Sequence, residues 1–94
     1  MLQLNGQSML AHTLAEFLDK VSQRSENGPA VQAELGQLMD EADGPAAKSL
    51  IQKAQGVVGM VNASPAGDPF RDRAYEGLTA YKLELRTLAA SDSL

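Results

Sequence analysis

A chain of 94 residues and 10.0 kDa, 44% hydrophobic and 21% charged, suffices for one compact domain and is too short for a second. The absence of cysteine excludes a disulfide scaffold, a thiolate zinc site, an iron–sulfur cluster and a thiol nucleophile, so packing must hold the fold together. Eight basic against twelve acidic side chains give a net charge of −4 and a pI near 4.7, the wrong sign for the counterion release that drives nucleic-acid binding.

In chain order, Leu2 and Leu4 alternate with polar residues before the turn pair Asn5-Gly6, which reads as a loose arm over residues 1–7 ahead of one helical domain over residues 8–94. The start lacks the basic region of a secretory signal, and no apolar run approaches the roughly 20 residues of a membrane span, so a cytoplasmic protein is expected. A first helix is predicted from about Ser8 to Ser25, with Leu10, Leu14, Phe17, Leu18 and Val21 on one face. Three prolines then punctuate the chain. Pro29, Pro45 and Pro69 each precede a segment of helical apolar spacing, where a missing N–H costs nothing, and Gly28, Gly44 and Asp68 stand at the expected capping positions. The second helix is predicted over Pro29 to Asp43, with Val31, Leu35, Leu38, Met39 and Ala42 as its stripe, forming an antiparallel hairpin with the first.

The third helix, Pro45 to Asn62, follows a turn tight enough to make a bent corner. Its stripe is Ala47, Leu50, Ile51, Ala54, Val57, Val58 and Val61. Gly56, Gly59 and three valines weaken helix propensity over Gln55 to Val61 and admit a buried strand, but no second strand is available to pair with it. The fourth helix, Pro69 to Ala90, carries Ala74, Leu78, Tyr81, Leu85 and Leu88 inward. These patterns predict an all-α, small four-helix bundle-like domain that dimerisation could complete.

Few residues suggest chemistry. Ser8, His12 and Glu16 line up one turn apart, but three residues along one helix cannot converge on a reacting group, so a solvated face is expected. Asp40, Glu41 and Asp43 invite a calcium reading; an EF-hand loop starting at Asp40 would need ligands where Ala42, Gly44 and Ile51 stand. Their simpler role is to lie beside the positive end of the third helix. One histidine and no cysteine are too few ligands for a transition metal, and Gly56-Val57-Val58-Gly59 lacks the lysine and spacing of a P-loop. No catalytic residue, metal or cofactor is therefore expected.

Two surface features exceed the needs of a core. Leu83 lies opposite the inward stripe of the fourth helix, near Thr79, Ala80, Thr87 and Ala90 and flanked by Tyr75 and Phe70, so this helix either sits centrally or contacts another chain. A single exposed leucine is ordinary in itself. Residues 25–47 hold five acidic and no basic side chains, a charge of −5, while eight basic and seven acidic residues leave +1 elsewhere. Such a segment, with Asp40, Glu41 and Asp43 at its end, could steer a basic partner.

The stretch Asp68-Pro69-Phe70-Arg71-Asp72-Arg73-Ala74-Tyr75-Glu76-Gly77-Leu78-Thr79-Ala80-Tyr81-Lys82-Leu83 is similar in outline to the helix after the proline turn in type III secretion needle and inner-rod subunits. Those subunits continue with an apolar segment, whereas this sequence closes on Ser93-Leu94. The resemblance implies a secretion-apparatus accessory or subunit as one alternative. The residues themselves lead to a non-catalytic module that binds another protein (an adaptor, chaperone, sequestering regulator or immunity-type protein) and self-associates through its fourth helix. Leu83, Tyr75, Phe70, Asp40, Glu41 and Asp43 are its expected contacts. A ligand-holding or enzymatic dimer with an inter-chain pocket is the alternative of another class, although four aromatics and no tryptophan leave little material for a cofactor cage.

Overall fold

The computed structural model describes residues 2–91 and contains four α-helices and, among those residues, no strand. They are α1 (Leu2–Gln23), α2 (Gly28–Glu41), α3 (Pro45–Ala63) and α4 (Pro69–Ser91), with a single 3-10 turn at Ser25–Asn27 between the first two. The protein is a small all-α, four-helix domain.

Each start has a local cause. Asp68 accepts the Phe70 N–H on Oδ1 at 2.9 Å, capping α4 ahead of Pro69. Gly44 precedes α3 at φ 88° and ψ 158°, a backbone conformation that costs any side chain dearly, so the tight link from α2 needs glycine there. At α2 the expected cap is corrected by one residue: Asn27 is the capping position and Gly28 the first helical residue. Asn27 instead closes the preceding helix, its Nδ2 donating to the Lys20 carbonyl at 2.9 Å. Gly28 lies against the Asn62 side chain, whose Oδ1 would stand 1.9 Å from a Cβ built there, so a larger residue would have to turn that exposed side chain aside.

The start of the first helix also differs from the predicted one. Met1 lies outside the described residues, but the backbone is helical from Leu2, six residues before the predicted start. Once the turns around Ala11 are packed, each further residue adds a hydrogen bond with no new nucleation cost, which outweighs the turn tendency of Asn5-Gly6. The stretch from Gln55 to Val61 is helical throughout, its valines held by the core: Val58 and Val61 are buried and Val57 packs against them.

Chain order accounts for the α2–α3 and α3–α4 contacts but not for the neighbour of α1. The predicted hairpin of the first two helices is a minor contact, and the principal pairs are α1 with α4 and α2 with α3, joined where α3 meets α4. Opposite ends meet within each pair. Ser8 Oγ donates to the Ala89 carbonyl at 2.8 Å and Lys82 Nζ reaches Asp19 Oδ1 at 3.0 Å, which sets α1 antiparallel to α4. Gly28 against Asn62 does the same for α2 and α3. Ala11 and Ala15 are fully buried beside Leu14, Leu18 and Val21, and such small side chains suit close approach of two helices.

The core is one cluster that includes Leu14, Leu18, Leu35, Ile51, Val58, Leu78 and Leu85, and each such side chain contributes roughly 1.5–3 kcal/mol by leaving water. Between α3 and α4 it is closed by polar ties. Tyr81 Oη donates to the Leu50 carbonyl at 2.7 Å, and Arg71 Nη1 donates to the Ser64 carbonyl. The Cα extents are 46 × 26 × 18 Å, and the shortest corresponds to about two helix layers at 8–10 Å spacing. Every helix therefore keeps one face toward solvent.

Candidate interaction surface on the last helix

Helix α4 separates two environments. Ala74, Leu78, Tyr81 and Leu85 are buried, whereas Leu83, on the opposite side, is 60% exposed. A central position for this helix is thereby overturned, because α1 and α3 cover its inner side only. Two adjoining shallow hollows run along the outer side. One is lined by Ala80, Leu83, Glu84, Thr87 and Leu88, and the other by Asp72, Tyr75, Glu76, Thr79, Ala80 and Leu83. Leu83 and Ala80 belong to both.

The residues on either side of Leu83 are tied to neighbouring helices. Lys82 pairs with Asp19 of α1, and this hydrogen bond, reinforced by the lysine charge, holds the Asp19 carboxyl below its ordinary value of 3.8. Glu84 lies 3.3 Å from Lys53 of α3, whose ammonium also stands 4.9 Å from the centre of the Tyr81 ring. Burial pushes the Tyr81 hydroxyl up to about 12, with the Glu84 charge adding to the effect. Lys82 and Glu84 are thus tied toward α1 and α3, while Glu84, Asp72 and Glu76 also line the hollows beside Leu83. Leucine is left in the middle.

The structure divides the expected contact residues into three places. Tyr75 shares a hollow with Leu83, but it is half-buried, packs against the core and carries the Arg71 guanidinium 5.5 Å from its ring centre. Phe70, 48% exposed, lines neither hollow and lies roughly 140° around the helix from Leu83 at 3.6 residues per turn. Asp40, Glu41 and Asp43 are all exposed at the link between α2 and α3, and α2 makes at most marginal contact with α4. The acidic group and Leu83 therefore occupy separate surfaces.

The macrodipole role assigned to the acidic group applies to Asp43 alone, which directly precedes the capping Gly44. Asp40 and Glu41 end α2, where the helix presents its own negative pole and has no basic residue in the last turn. No ion pair within the described residues involves Glu34, Asp40, Glu41 or Asp43. Elsewhere, His12 Nε2 lies 3.3 Å from Glu16 on an exposed face while the Ser8 hydroxyl is engaged by Ala89. Among the described residues no three His, Asp or Glu side chains are grouped to hold a metal ion, and no helix is long and apolar enough to cross a membrane.

No family model, curated protein or solved structure matches the chain. The likeness of residues 68–83 to secretion needle and rod subunits accordingly remains local. The outward position of Leu83 follows from helical spacing, but the ion pairs beside it do not. Lys53, Asp19, Lys82 and Glu84 are placed by partners 31 and 63 positions away, and the only local signal was a leucine between two opposite charges.

Proposed function

We propose that this protein is a non-catalytic helical module that binds another protein through the outer face of α4. The observation that carries this reading is the exposure of Leu83 at the centre of two adjoining hollows, with its charged neighbours tied away from it. A large apolar side chain in such a setting gains from being covered. The acidic outer side of α2 supports a second, electrostatic contribution, steering a basic partner without forming the contact itself. A cytoplasmic setting fits the absence of cysteine.

The test compares tagged wild-type protein with Leu83→Glu in capture from a lysate of the source cell, with helical circular dichroism as the control for folding. Proteins retained by the wild type should be lost by the variant. Retention of the same set by both would remove the α4 face from the role. Charge reversal at Asp40, Glu41 and Asp43 should weaken capture and flatten its salt dependence.

A further inference from the structure

We infer that the occupant of the α4 face is the same face of a second copy of this chain, docked antiparallel about a two-fold axis near the level of residue 81. The inference rests on the reading of this face as a binding surface and adds the identity and orientation of what covers it. At 100° per residue, Asp72, Glu76, Thr79, Leu83, Thr87 and Ala90 form one stripe opposite the buried Ala74, Leu78, Tyr81 and Leu85. All six are exposed. Thr79, Ala80 and Thr87 are small and surround Leu83, so a second helix can approach at the short end of the 8–10 Å range, with each leucine seated over the small residues of the other.

Charge along the stripe selects the occupant and its direction. Asp72 and Glu76 lie toward the start of α4, Arg86 lies at the edge of the stripe toward its end, and no ion pair within the described residues involves any of the three. Asp19, whose carboxyl feels the Arg86 charge, is already held by Lys82. Glu76 and Arg86 are ten residues apart, about 15 Å along the axis. A two-fold midway between them sets each Glu76 opposite the partner's Arg86 and repeats the pair by symmetry, while Leu83 meets the level of the partner's Thr79. Parallel docking in register would oppose Asp72, Glu76 and Arg86 each to its own copy. The two-fold contact is closed, so association stops at the dimer. A seam one helix wide falls below the roughly 1,200 Å² of standard interfaces, which predicts a reversible dimer with a dissociation constant on the order of micromolar.

Sedimentation equilibrium from about 5 to about 500 μM brackets that value. The mass should rise from that of the 10.0 kDa chain toward twice as much. Leu83→Glu should stay monomeric throughout with unchanged circular dichroism; if it loses helicity, Thr79→Arg at an exposed position carries the same test. Glu76→Arg and Arg86→Glu should each weaken the dimer about tenfold, and the two combined should return it to within about threefold of wild type, because the swap restores both pairs. A wild type that remains monomeric overturns the second copy as occupant; loss of captured proteins by Leu83→Glu would then still sustain the broader reading of the face. Dimerisation unaffected by Leu83→Glu or Thr79→Arg moves the seam elsewhere. Failure of the combined swap to recover overturns the antiparallel register.

Discussion

The outer faces of α2 and α4 are both exposed, yet they are built oppositely. Beside Leu83 the adjoining charged residues find partners inside the molecule, Lys82 on α1 and Glu84 on α3, while Asp72, Glu76 and Arg86 along the same face find none. On α2, Glu34, Asp40 and Glu41 find none, and the last two add negative charge to a helix end that is already negative. A face with an apolar centre and charges of both signs that a partner can pair is dehydrated at lower cost. A face with unpaired charges of one sign remains hydrated and acts at a distance, through a potential that salt screens within about 10 Å. The contrast separates a surface that can hold a partner from one that can only attract it.

Substitutions on both sides of α4 and at the end of α2 test this distinction. The largest expected effect is on the inner side of α4: Leu78→Ala should cost about 2–5 kcal/mol in urea unfolding, against less than about 0.5 kcal/mol for Leu83→Ala. Comparable losses from both would mean that Leu83 supports the fold and that its exposure has no bearing on binding. Next, Tyr81→Phe should cost about 0.5–1.5 kcal/mol through the lost bond to the Leu50 carbonyl. Its pH dependence is the sharper check. The unfolded phenol ionises near its ordinary value of 10 and the folded one only near 12, so this contribution to stability is complete below 10 and is lost as pH rises through 12. The phenylalanine variant should lack that part of the alkaline loss. Smallest, Glu41→Lys should raise stability by about 0.3–1 kcal/mol at low ionic strength, with the gain fading as salt is added. A loss of stability instead would show that the acidic end of α2 serves the fold, and the steering role would lose its main support.

Much of the architecture is legible in spacing alone. Pro45 and Pro69 open their helices as expected, and the buried sets of α3 and α4 fall within the stripes that periodicity picks out. In α1 the buried face is turned slightly: Ala11 and Ala15 are fully enclosed, while Leu10 and Phe17 sit at its margin. Hydrophobic size points to the larger residues, but the closely packed line between two helices favours the smaller ones. The expected contact residues do not form one set. Tyr75 adjoins Leu83, whereas Phe70 lies around the helix from it, a difference that adjacency in the chain obscures.

The sequence by itself determined the number of helices, most of their limits and which side of each turns inward, because proline φ, glycine caps and a 3.6-residue period act over a few neighbouring residues. Packing alone sets α1 along α4, brings Gly28 against Asn62, and pairs Lys82 with Asp19 and Glu84 with Lys53. Those outcomes depend on side chains many positions apart that meet only after the helices have packed, and no local spacing records which of them will be close enough to pair.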